Sequence, residues 1–90
     1  MTEAQQRNRE FNEQVKAECI AAVKVAASGA LIKTGQSGEA LQQSNKIIAA
    51  LVEILEAKPA ALFIGAEYIG DKGTTLLIKQ NFAAAKAAAA

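Results

Sequence analysis

Ninety residues with ten basic and nine acidic side chains, no histidine, no tryptophan and one cysteine describe one small domain of nearly balanced charge. A lone Cys19 excludes an intrachain disulfide framework. The missing histidine removes the usual zinc ligand and the usual general base together.

A chain this short buries only about 60% of its unfolded surface, and its composition lowers the yield further. The apolar fraction is 51%, but nearly half of those residues are alanine, which favours helix and contributes little area. Phe11, Phe63, Tyr68 and Phe82 are the only aromatics. High helix propensity with low side-chain volume suits helices that pack closely, often against copies of themselves.

The first helix opens at Thr2, which with Gln5 forms a capping-box pattern. Neither proline nor glycine interrupts the chain before Gly29, so the helix is expected over residues 3–33, with Gly35 as its left-handed terminator. Phe11, Val15, Cys19, Ala22, Ala26 and Ala30 recur at spacings of three and four and fall on one stripe. The first third of this helix is polar almost all round, Phe11 excepted. Its second half carries the small-xxx-small ridge Ala22, Ala26, Ala30, which allows a neighbouring backbone to come near. Cys19 is expected as a reduced side chain packed against apolar neighbours.

Residues 34–39 form a turn, with Ser37 as N-cap of a second helix over residues 39–57. That helix stops at Lys58-Pro59, because the residue before proline resists helical geometry. Leu41, Ile48, Leu51, Val52 and Leu55 make its main face. Ile47 and Ile54 widen that face beyond a coiled-coil seam, which implies more than one neighbour. The two helices should form an antiparallel αα-hairpin.

The last third admits two readings. Pro59 opens a short helix ending at Gly70, and Thr74 or Thr75 starts another through Leu76, Leu77, Ile78 and Phe82. Alternatively, residues 62–80 form a β-hairpin about the turn Gly70-Asp-Lys-Gly73. The flanking alanines and the lack of strict alternation favour helix. The expected class is therefore all-α: a hairpin with a long first helix, plus a C-terminal segment. Residues 1–82 make one domain, and the Ala/Lys run at 83–90 is a low-complexity tail whose helix would be marginal alone.

Little in the chain carries chemistry. Gly65-Ala-Glu-Tyr-Ile-Gly70-Asp-Lys-Gly-Thr-Thr approaches the phosphate-loop pattern, but Asp71 stands where the lysine belongs and no strand precedes it. Glu53 and Glu56 sit three apart on the second helix, where a solvated edge beside Lys58 accounts for them. No nucleophile has a base. The reading is a non-enzyme without catalytic, cofactor or metal residues and without a small-molecule substrate. Lysines at 16, 24, 33, 46, 58, 72, 79 and 86 are spread evenly, and Glu3, Glu10 and Glu13 dilute Arg7 and Arg9, so direct nucleic-acid binding is not expected. The N-terminus has no signal-peptide pattern, which points to the cytoplasm or to incorporation in a virion or other assembly.

The two hairpin helices differ in length, about 46 Å against about 28 Å at the helical rise. Roughly twelve residues of the first helix therefore overhang. The overhang, the small-residue ridge and the wide face of the second helix together point to a self-assembling subunit of a virion, secretion-type, ring or filament assembly. Phe11, Val15, Cys19, Ala22, Ala26, Ala30, Ile48, Leu51 and Leu55 would carry the helix packing. The alternative is a membrane-active protein whose segments 19–32 and 47–70 line a pore after oligomerising. Lys24, Glu53, Glu56, Lys58 and Glu67 within them disfavour membrane contact, since each central charge costs roughly 2.5–3.5 kcal/mol to insert.

Overall fold

The computed structural model describes residues 2–90. It contains four helices and, among the described residues, no strand: α1 (Glu3–Thr34), α2 (Gly38–Glu56), α3 (Ala60–Ile69) and α4 (Asp71–Ala89). The fold is all-α, and the β-hairpin alternative for residues 62–80 is replaced by α3 and α4.

Local chemistry sets most of the helix ends. Thr2 Oγ1 accepts from the Gln5 amide at 3.2 Å, while Gln5 Oε1 accepts from the Thr2 amide at 3.0 Å, so the capping box closes in both directions. Gly35 terminates α1 at φ 66° and donates to the Ile32 carbonyl. Ser37 takes the N-cap position of α2 without a side-chain cap bond; instead Ser44 Oγ donates to Gln36 Oε1 at 2.6 Å and ties the turn to the helix. Pro59 caps α3.

The end of α2 is finished from outside. Lys16, midway along α1, donates to the carbonyls of Glu56 and Lys58 at 2.7 and 2.8 Å. A cation there satisfies orphan acceptors and complements the helix dipole. Because Lys16 meets the end of α2, the two helices run antiparallel and α1 before Lys16 has no α2 beside it. Residues 2–11 are exposed throughout. The overhang is helical and docks on nothing in its own chain, and the molecule is correspondingly long, 51 × 23 × 17 Å.

The joint between α3 and α4 departs from expectation. Instead of a four-residue turn and a start at Thr74 or Thr75, α4 begins directly after Gly70. Gly70 alone turns the chain, at φ 76° and ψ −136°, a region that only glycine occupies readily. Gly73 belongs to the first turn of α4, its amide donating to the Gly70 carbonyl at 2.8 Å. A Cβ at Gly73 would stand 1.8 Å from the Ala66 carbonyl oxygen, so the missing side chain is what lets the two backbones touch.

Beyond the joint, α4 runs antiparallel to α2, and Gln43 near the start of α2 donates to the Ala89 carbonyl at its end. The core is Val15, Ile20 and Val23 of α1, Leu51 and Leu55 of α2, Phe63 and Ala66 of α3, and Leu77 and Ala85 of α4. Ile47, Ala50, Val52 and Ile54 pack against it part-buried, so the wide face of α2 is shared between α1 and α4. Ala85 is fully buried. The Ala/Lys run is thus the end of α4 and not an appendage past residue 82, because α2 supplies the partner that a short isolated helix lacks.

Candidate interaction surface

Along α1 the burial line and the small-residue ridge are neighbours and not the same line. Val15 lies in the core and Cys19 packs against it, but the covered line then continues through Ile20, Val23, Ala27 and Leu31. Ala22, Ala26 and Ala30 are exposed. On α2, Leu51 and Leu55 are core and Ile48 is half-buried. Phe11 stands 59% exposed on the overhang, beyond the reach of the core. Of the nine side chains expected to pack helices, three are core, two are part-buried and four face outward.

The ridge is exposed because α4 stands away from it. Between the C-terminal half of α1 and α4 runs a groove of about 330 Å³, floored by Ile47 and Ile48 of α2. Ala26, Ala27, Ala30 and Leu31 form one wall, Ile78 and Phe82 the other, and Gln36 and Ser44 close one end. The same side continues downward as a shallower depression where Ala22 and Val25 face Thr74 and Thr75. Large apolar groups are left exposed on α1 and α4. Val25 is 73% exposed, Ile32 82% and Phe82 45%, with Leu76 close behind. The Lys86 ammonium lies 5.9 Å from the Phe82 ring centre and shields one face of it.

The groups that could have carried chemistry are placed otherwise. Cys19 Sγ donates weakly to the Phe63 carbonyl at 3.8 Å, and its pKa is raised, by burial first and then by the carboxylates of Glu67 and Glu18. A raised pKa leaves less thiolate at neutral pH and so a poorer nucleophile. The phosphate-loop-like string lies within α3 and α4, broken only at Gly70, so it does not form a loop. Glu53 and Glu56 are exposed. Among the described residues no three histidine, cysteine or carboxylate side chains gather as a metal site. No helix is long and apolar enough to cross a membrane, again among the described residues.

Three features that sequence reasoning passed over matter here. Asn81 is a buried polar residue of α4, its Nδ2 donating to the Leu77 carbonyl at 2.8 Å. Gly73, a turn glycine by its sequence context, lies in α4 against the Ala66 backbone. Ile20 and Val23 were passed over for the alanine stripe, although Ile20, Val23, Ala27 and Leu31 repeat at helical spacing and could have been found by weighting side-chain volume.

Comparison with known proteins finds no matching family model, no matching curated protein and no matching solved structure.

Proposed function

We propose that the chain is a non-enzymatic helical subunit that works by associating with further copies of itself in a larger assembly such as a ring or filament. One observation carries the reading: an open apolar groove walled by a small-residue ridge and the half-exposed Phe82, while Val25 and Ile32 stand largely in solvent elsewhere on α1. A ninety-residue chain with so little bulky apolar content that leaves these groups uncovered forfeits stabilisation it can ill spare, at roughly 25 cal/mol per Å². Covering them in an assembly recovers that term. The exposed alanines make the cover close-fitting, because a side chain that ends at Cβ lets a partner backbone approach.

Light scattering or sedimentation across a dilution series tests this directly. Assembly should grow with concentration. Ala26→Leu should weaken it, since overpacking a close contact costs about 1–3 kcal/mol for each interface. Helix content should hold, because Ala26 is exposed within its own chain and leucine is a good helix former. A concentration-independent monomer with a cooperative melt would sink the reading.

A further inference from the structure

The overhang and the groove end carry opposite charge excesses, slight on the overhang and larger at the groove. Beyond Glu18, α1 carries only Lys24 and Lys33 as charged residues, and α4 carries Lys72, Lys79 and Lys86 against Asp71. Glu39 and Lys46 offset one another on the adjoining part of α2. The groove end is therefore basic. At the opposite end acids prevail: Glu3, Glu10 and Glu13 against Arg7 and Arg9 on the overhang, then Glu18, Glu53, Glu56 and Glu67 against Lys16 and Lys58. Overall near-neutrality conceals a molecule polarised along its length.

We propose that residues 3–14 of one copy lie in the α1/α4 groove of the next, head to tail, an assignment that rests on the self-association reading above. Phe11 supplies the large apolar group for a groove walled by alanine, Ile78 and Phe82. Glu3 and Glu10 are seven residues apart, and so are Lys79 and Lys86, each pair about 10.5 Å apart along its helix. Acidic residues on the N-terminal side of Phe11 thus repeat at the interval of the lysines along α4, the arrangement by which charges beside an apolar contact set register between packed helices. The Arg7–Glu3 pair at 3.7 Å is exposed on both sides, so exchanging it for an intermolecular partner gives up little.

Direction follows from α3. Phe11 and the ridge Ala22, Ala26, Ala30 share one side of α1, but α3 covers that side between them: Phe63 meets Cys19, and Ala66 and Glu67 border Ala22. A two-fold dimer face to face on this side would bring α3 against α3 and hold the overhangs off the grooves. Translation along the long axis avoids this. Head-to-tail contact is heterologous, so it propagates until it closes into a ring or continues as a filament.

The test uses two full-length variants, each with one end disabled at an exposed position. Phe11→Asp removes the overhang's anchor and Ala26→Arg blocks the groove. Each alone should stay monomeric with wild-type helix content, and an equimolar mixture should form a finite 1:1 dimer, because one live overhang and one live groove remain. Separately, Glu3→Lys with Glu10→Lys should weaken wild-type-like assembly by about tenfold for two exposed pairs. Mixing that variant with Lys79→Glu, Lys86→Glu should restore it. If Phe11→Asp assembles like the wild type, the overhang is not the occupant, although self-association stands. A wild type that stops at a dimer at every concentration overturns the head-to-tail arrangement. A wild type that stays monomeric overturns this inference and the reading beneath it together.

Discussion

Small residues mark two places in this chain, the α3–α4 joint and the α1 ridge, and the fold uses them in opposite ways. At the joint, Gly73 sits against the backbone of Ala66 so closely that no Cβ fits between them. The contact lies one helical turn from the fully buried Phe63 and the buried Leu77. On the ridge, Ala22, Ala26 and Ala30 open onto a groove that α4 does not close. A small side chain permits close approach; it does not supply the neighbour. Inside the joint the neighbour is ten residues of the same chain, while at the ridge it has to come from elsewhere.

The largest expected effect lies at the joint. Gly73→Ala should destabilise the monomer by about 1–2 kcal/mol net: roughly 2–3 kcal/mol for forcing two backbones apart, less the roughly 1 kcal/mol that alanine gains over glycine in a helix. Urea unfolding at a dilution where assembly is absent measures it. A neutral or stabilising result would mean that the joint relaxes freely and that the contrast with the ridge is false. Ala26→Leu under the same dilute conditions should leave the melt almost unmoved, which places its cost in assembly alone.

An intermediate effect is expected at Lys16, which ties α1 to the end of α2 with the ammonium 5.9 Å from the Phe63 ring centre. Lys16→Met keeps an unbranched stem over the ring and removes the two bonds to carbonyls. About 1 kcal/mol should be lost, in line with a cation at a helix C-terminus. Thermal melts of the dilute monomer would register it. An unchanged melt would show that water replaces the ammonium without cost, and that the overhang begins at no fixed point.

The smallest effect, with reversed sign, belongs to Gly65. It lies inside α3, is exposed, and a Cβ there would meet nothing within 4 Å. Gly65→Ala should therefore stabilise by about 0.5–1 kcal/mol through helix propensity alone. Set beside Gly73→Ala it separates two glycines eight residues apart that composition cannot tell apart. Equal destabilisation at both would indicate that something other than the Ala66 contact makes glycine necessary.

Most helix ends were legible in the residues themselves, the start of α4 excepted. Thr2 with Gln5, Gly35, Pro59 and Gly70 act through bonds and torsions spanning a few positions, so their meaning survives without knowledge of the rest of the chain. The overhang was legible too, since it follows from two helix lengths and a short turn. Tertiary structure alone decided that Gly73 is a contact and not a turn, that Ala85 belongs to the core, and that Asn81 is buried. Each of these depends on which helix comes to lie alongside another. That choice sums small burial terms from the whole chain, and no local pattern of alanine and glycine encodes it.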